Sequence, residues 1–378
     1  MNNNGTKRSK PKVLVIGVLP PPAIGPSLAM KRLLEAENIR SAFDIDLLDI
    51  SDTRNSGHIG RFDFTNAWLG IKHILQCIKK VVSRRPALVY LNLSEGLWGY
   101  IRDVGLVLPP MLLGCKVVFH LRGSQFRSFY DGMPALCRWF TRLLFRRVSR
   151  VIVLGHSLRP LFGGLVPDDR IMVVPNGIDY SQFKDVGRSG ANGNLDKVLY
   201  FSNLRREKGT LRMIEALPEI VKSRPSIHVT FAGEWQRDED QEYAESFILK
   251  HNLTGHVTFT GRVIGPDKIR LYKEHDVFVF TPVDPEGLPW VILEAMSAGL
   301  PVLTTDRGAI AEVVEEGRTG YIIEPQPKTI AEKLAYMIEH PYEARAMGMS
   351  GRERVEQFFS EPAYLKGVEQ VLQEALNN

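Results

Sequence analysis

Cysteine is scarce in this chain. Its three thiols, Cys77, Cys115 and Cys137, are odd in number, far apart and outside any C-x-x-C pair, so they support neither a disulfide framework nor a zinc site. A reducing cytosol suits such a chain, and a cytoplasmic location is the expectation. Long hydrophobic runs are missing as well. The apolar stretch Val13 to Leu19 is too short for a signal h-region followed by a spanning helix, and it reads as a first buried strand. No G-x-G-x-x-G follows it, which counts against a nicotinamide enzyme. No nucleic-acid-binding module is visible, no internal repeat is recognisable, and the only low-complexity segment is a polar N-terminal tail expected to be disordered.

What is present describes a globular enzyme of two domains. The chain has 378 residues, too many for one ordinary core, and is 44% hydrophobic and 24% charged. Its formal net charge of +5 hides an asymmetry. Residues 1–180 hold 25 Lys and Arg against 13 Asp and Glu, whereas residues 181–378 hold 23 against 30. A basic half beside an acidic one suits nucleic acid, an anionic membrane surface, or two complementary halves of one molecule. With no nucleic-acid module, nucleic acid is not an expected partner.

Short β-branched runs alternate with longer helical patterns, the signature of βαβ units and parallel sheets. KVLVIGVL, DIDLLDI, LVYLNL, KVVFHLR, RVIVLG and IMVVPNG form one series; KVLYFSNL, IHVTFAG, VTFTG, VFVFTP, PVLTTD and GYIIEP form a second. Each series makes one doubly wound, Rossmann-like α/β domain. The stretch SQFKDVGRSGANGNLDK lacks a hydrophobic period and is rich in Gly, Ser and Asn, as a linker would be. The expected division is therefore an N-terminal domain at 1–180, a linker at 181–196 and a C-terminal domain at 197–358. The last helix, about 359–378, is expected to pack back on the first domain.

The stretch beginning EGLPWVILEAMSAGLPV at Glu286 follows the strand VFVFTP with a loop, a proline at the expected first helical position, a helix and the breaker Gly299. A helix N-terminus at the carboxyl edge of a parallel sheet is suited to meet an anionic group. Glu286 lies in the loop and Glu294 in the helix, and ionised carboxylates so placed can grip sugar hydroxyls. By spacing alone, a capping Glu286 and a solvated Glu294 are the preferred reading. The whole string E-G-L-P-x-x-x-x-E-A-M-x-x-G-x-P-V, however, resembles the donor motif of glycosyltransferase family 4, the retaining E-x7-E transferases of the GT-B fold. That resemblance implies two Rossmann-like domains facing across a cleft. It also implies that Glu286 contacts the donor sugar, that the backbone of Gly287 and Leu288 faces sugar and pyrophosphate, and that Glu294 holds the ribose.

A second element, FSNLRREKGT, ends a strand and places Lys208 and Gly209 at a helix start, where an ammonium and amides suit a pyrophosphate. A solvated basic helix start is the plainer alternative. The family usually reads G-R-L-x-x-x-K-G here, so Lys208 matches its pyrophosphate lysine while Asn203 replaces its arginine. Asn203 donates a hydrogen bond without charge, so Lys208 acts alone or Arg205 or Arg206 supplies the missing charge. In the N-terminal half, Gly25 precedes a helix expected near Ser27, where a ligand can approach the backbone. His120 ends a strand where the family often has a histidine facing the donor sugar, whereas by itself a lone histidine at a strand end is more often structural. Asn176 and Gly177 in PNGID read as turn residues, and Glu234 in FAGEW as a charged loop or cleft residue.

Two further patterns take other readings. Asp44 and Asp46 form the D-x-D of a different transferase fold, yet they lie on a peripheral strand far from the donor motif and read as surface carboxylates. In ALCRWFTRLLFRRVSR, Arg138, Arg142 and Arg146 recur every four residues beside Trp139, Leu143 and Phe145, as in an interfacial helix or a buried helix with solvated arginines. The expected activity is retaining transfer of a sugar, hexosyltransferase-like, from a nucleotide-sugar donor to a glycan or lipid-linked acceptor in polysaccharide, lipopolysaccharide or glycolipid assembly. No cofactor and no metal are expected, since lysine and helix amides can neutralise the leaving phosphate. Peripheral contact with an anionic membrane on its inner face is part of the expectation. The alternatives are a sugar-nucleotide epimerase of the same fold and a non-catalytic nucleotide-sugar binding protein.

Overall fold

The structure is a computed structural model, and it describes residues 9–21, 25–51, 64–183 and 194–377. The N-terminal tail, the middle of the PPPAIGPS loop and most of the expected linker lie outside the described residues. The chain divides into two compact units, one of Met1–Pro175 with Tyr364–Asn378 and one of Asn176–Ala363. The division thus falls at Pro175, ahead of the stretch read as a linker.

The first unit is a six-stranded sheet of β1 (Lys12–Gly17), β2 (Asp44–Asp49), β3 (Leu88–Leu93), β4 (Lys116–Leu121), β5 (Arg150–Val153) and β6 (Ile171–Val173). All pairings are parallel, in the order β2-β1-β3-β4-β5-β6. Parallel neighbours need helical crossovers, and strands covered on both faces read as unbroken apolar runs. Val13, Leu14, Val15 and Ile16 of β1 are accordingly all buried. On one face Val13, Val15, Leu88, Tyr90, Val118 and Ile152 pack against helices 25–35 and 37–42 and against Tyr364, Val368, Val371 and Leu372 of the last helix. The other face is covered by helices Phe64–Arg84, Leu97–Leu112 and Ala135–Arg146, with Phe119 of β4 against Phe145. Asp46 on the edge strand β2 pairs with Lys80 at 2.6 Å, while Asp44 is exposed.

The second unit is built from β7 (Lys197–Phe201), β8 (His228–Ala232), β9 (Val257–Gly261), β10 (Val277–Phe280), β11 (Val302–Thr304) and β12 (Gly320–Ile322). Its parallel order, β12-β11-β10-β7-β8-β9, is the 3-2-1-4-5-6 pattern of dinucleotide-binding sheets. In such a sheet the winding direction reverses between the first and fourth strands, here β7 and β10, and the loops leaving their carboxyl ends diverge to leave a ligand crevice. All twelve runs read as strands in the sequence are strands.

The last helix predicts a simple outcome. Leu372 is 1% exposed within the first unit's core. Leu372→Ala is expected to lower stability by about 2–5 kcal/mol, seen as an earlier transition in urea followed by circular dichroism. An unchanged curve would mean that this helix does not close the first core.

Candidate functional site

The loops that leave β7 and β10 are laced together through their backbones. After β7 the chain makes a 3₁₀ turn, Arg206–Lys208, and then Gly209 at φ +84° opens the helix Thr210–Ser223. A Cβ on Gly209 would lie 1.9 Å from the carbonyl oxygen of Thr281, just beyond β10. Both the left-handed φ and this approach demand glycine. The carbonyl of Glu207 accepts hydrogen bonds from the amides of Val283 (3.0 Å) and Asp284 (3.2 Å), and the Tyr200 hydroxyl donates to the carbonyl of Lys208 at 2.5 Å.

This lacing brings the Lys208 ammonium onto the Glu286 carboxylate, in direct ion-paired contact and mostly shielded from water. The Glu286 loop is pinned as well. Gly308 at φ +65° passes so close to the Glu286 carbonyl that a Cβ would lie 1.5 Å from that oxygen. The Gly287 carbonyl accepts from the Ala309 amide at 3.0 Å, and the buried Leu288 carbonyl accepts from the Asn176 side chain at 2.8 Å. Pro289 takes the position before the helix Trp290–Ser297, one residue ahead of its expected place inside it.

Glu294, on that helix, is buried rather than solvated, and neither carboxylate oxygen is idle. Lys268 donates to one at 2.5 Å and the Tyr272 hydroxyl donates to the other at 2.9 Å. Burial and the neighbouring Glu294 charge push the Tyr272 phenol well above its usual range, so it remains a donor at any working pH. The Lys268 ammonium also lies 5.2 Å from the Phe201 ring centre, at the end of β7. Lys268 and Tyr272 escaped the sequence reading. Their four-residue spacing places them on one helix face, but nothing in the sequence ties that face to Glu294.

The residues offered as substitutes for the missing arginine separate. Asn203 is exposed in the loop after β7. Arg206 is taken by the fully buried Asp240, through 2.8 and 2.6 Å bonds from its guanidinium and a 3.0 Å bond from its amide. Burial opposes the charge on Asp240, yet these bonds prevail and hold its carboxyl below the usual range. Arg205 is half-buried with its Nε 4.0 Å from Glu207, leaving it the less committed of the two guanidiniums. Glu234 is exposed, with its carbonyl accepting from the Leu204 amide at 2.9 Å.

In the first unit, Gly25 opens the helix Gly25–Glu35 and a Cβ on it would meet nothing within 4 Å. His120, by contrast, is completely buried on β4. Its Nδ1 is 2.7 Å from the Tyr90 hydroxyl, its Nε2 has no hydrogen-bond partner among the described residues, and its ring lies 6.4 Å from that of Tyr364. The residue at the mouth of that strand is Arg122, which donates to the Tyr364 hydroxyl at 2.6 Å. Among the described residues no cluster of three or more His, Cys, Asp or Glu side chains could hold a metal ion.

Residues 181–354, which contain Lys208, Glu286 and Glu294, match the family model of glycosyl transferases group 1. In this segment the chain is similar to the group 1 glycosyl transferases. Spore coat protein SA of Bacillus subtilis is 35% identical over 167 residues, covering 43% of this chain and 44% of that protein. Glycogen synthase of Mycobacterium tuberculosis is 28% identical over 220 residues, covering 57% and 51%. The chain spans about half the length of these curated relatives. A crystal structure of HepE from Anabaena, in complex with UDP and glucose, superposes with a TM-score of 0.73 at 19% identity, over 96% of this chain and 99% of that one. With two parallel six-stranded sheets, the architecture is the α/β GT-B fold.

The buried histidine generates a pH test. Burial, and then the Arg122 charge, hold His120 well below its ordinary value, so it stays neutral in the folded unit. An unfolded histidine takes up a proton near pH 6.5, so the stability due to a neutral His120 is present above that pH and lost below it. Acidification through pH 6.5 is expected to destabilise the protein through this group, and His120→Asn should flatten that dependence in urea titrations. Identical slopes for the two proteins would mean that His120 ionises in the folded state.

Proposed function

We propose that the chain transfers a sugar from a nucleoside-diphosphate sugar to an acceptor hydroxyl with retention of anomeric configuration. The observation that carries this reading is the Lys208–Glu286 pair, set by backbone lacing at the switch point of a 3-2-1-4-5-6 sheet. The group 1 match over 181–354 and the named synthase relative support transfer over the epimerase alternative. The neighbour holding UDP and glucose supports a donor of that chemistry.

In the ligand-free site Lys208 and Glu286 neutralise one another. A donor would enter between them, its diphosphate taking the ammonium and its sugar hydroxyls donating to the carboxylate. Two oxygens offer about four acceptor sites, so Glu294 can hold Lys268 and Tyr272 and still accept from the ribose hydroxyls. As the bond between the anomeric carbon and the diphosphate oxygen breaks, its electron pair moves onto the phosphate. Lys208, with amides of the loops, stabilises the growing charge without a metal. The acceptor oxygen attacks from the face that the phosphate leaves, and its proton passes to that phosphate. The acceptors that suit this reading are growing glycans and lipid-linked sugars of polysaccharide, lipopolysaccharide or glycolipid assembly.

The three side chains are expected to behave differently. Lys208→Ala should lower turnover by about 100-fold or more, because its partner charge grows only as the bond breaks. Glu294→Gln should mainly raise the donor KM, and Glu286→Gln should lose about 1.5–3 kcal/mol, divided between turnover and discrimination among sugars. Calorimetry with UDP, GDP and ADP should show weaker binding for Lys208→Ala and Glu294→Gln, and no weakening for Glu286→Gln, which frees the Lys208 ammonium for the diphosphate. Equal weakening of the bare diphosphate by both carboxylate variants would overturn the assignment. Epimerised donor in the absence of any acceptor would replace transfer with isomerisation.

A further inference from the structure

The helix layer on one face of the first sheet exposes apolar side chains that a water-facing layer would hide. In the helix Phe64–Arg84, the row His73, Cys77 and Val81 is turned inward and buried. At 100° per residue, Trp68, Ile71, Leu75, Ile78 and Val82 lie on the opposite side, and all are exposed, Trp68 at 65%. The adjacent helix Leu97–Leu112 packs through Gly105 against Ile74, and its outer row is again apolar, with Leu97, Trp98, Ile101 and Leu112 exposed. The third helix, Ala135–Arg146, joins the second through a 2.9 Å bond from Tyr100 to Thr141 and exposes Leu136, Trp139, Phe140 and Leu143. A soluble surface rarely carries an apolar area continuous over three helices.

Charge complements this surface in one sense only. The sole acidic residue of the three helices is Asp103, which is 1% exposed and paired with Arg102 at 2.9 Å. Nearby carboxylates are engaged, Glu95 by the amide of Gln125 and Asp131 by Arg127. Exposed cations flank the apolar rows, among them Lys72, Lys79, Arg142, Arg146 and Arg147. Crossover helices of a parallel sheet begin beyond the carboxyl ends of the strands that precede them. Trp68, Trp98 and Trp139 all fall in the first two turns of their helices, so three of the five tryptophans are gathered toward one edge of the layer. Tryptophan there, with cations around it, suits the headgroup boundary of a bilayer.

We infer that these three helices form one docking face for an anionic membrane surface, on which the protein lies without spanning it. No helix among the described residues is long and apolar enough to cross a membrane. The inference widens the single interfacial helix read at Ala135–Arg150 to a three-helix face, and it does not rest on the donor chemistry.

Flotation with phosphatidylcholine vesicles, with and without phosphatidylglycerol, tests it on the full chain. Binding is expected only with the anionic lipid and should fall with salt. Removing three cations (Arg142→Ser, Arg146→Ser, Arg147→Ser) should weaken partitioning by about 100-fold, at roughly 1 kcal/mol each. A second variant, Trp98→Gln with Ile101→Gln, should retain its melting temperature and lose the blue shift of tryptophan emission on vesicles. Brominated lipid should quench wild-type emission. Partitioning that is unchanged in both variants would overturn the proposal. So would lipid-independent self-association in ultracentrifugation that the Trp98 and Ile101 changes abolish, because the face would then bind a second copy.

Discussion

No side chain fits between Gly209 and the carbonyl of Thr281, and the chemistry proposed for the second unit depends on that closeness. The approach draws the turn carrying Lys208 onto the loop carrying Glu286, so two side chains 78 residues apart meet without either searching for the other. The same device recurs where Gly308 passes the Glu286 carbonyl. Backbone contacts therefore fix where the two side chains start, and their rotamers complete the contact between ammonium and carboxylate. A pair placed in this way loses little conformational freedom on binding a donor, which is the physical content of preorganisation.

Much of this arrangement is legible in the amino-acid sequence, for reasons of period and punctuation. Strands buried on both faces must be short apolar runs, and all twelve announce themselves. The string from Glu286 is legible because its spacing is local: loop, proline, helix and breaker follow one another within a few residues. Its partners are not local. Lys268 precedes Glu294 by 26 residues and belongs to a different crossover, so only the closed sheet shows that the carboxylate is held from both sides. Asn176 reads as a turn residue, yet its side chain fastens the Leu288 carbonyl 112 residues later. Arg206 and Arg205 look equivalent as letters, and Asp240 distinguishes them by engaging only Arg206. For His120 the register on β4 turns the ring into the core, which a strand-end position alone does not disclose.

The helix layer of the first unit illustrates a different limit. Arginines four residues apart draw attention to Ala135–Arg146, whereas Leu97–Leu112, with Arg102 and Asp103 as its charged residues, draws none. Hydrophobicity on every side of a helix cannot tell which side meets protein. The sheet decides it, by supplying one face for Leu106 and Val107 and leaving Trp98 and Ile101 uncovered.

One property of the chain's path concerns its synthesis. The first unit's sheet is complete by Val173, but one of its faces is covered by side chains between Tyr364 and Ala375. A ribosome therefore releases the second unit's entire sequence before the first unit can close its core. Until then Val13, Leu88 and Val118 lack part of their cover, a state open to chaperones and to wrong association. The half made first is the half finished last, and damage to the segment from Tyr364 to Ala375 would be felt at Val13.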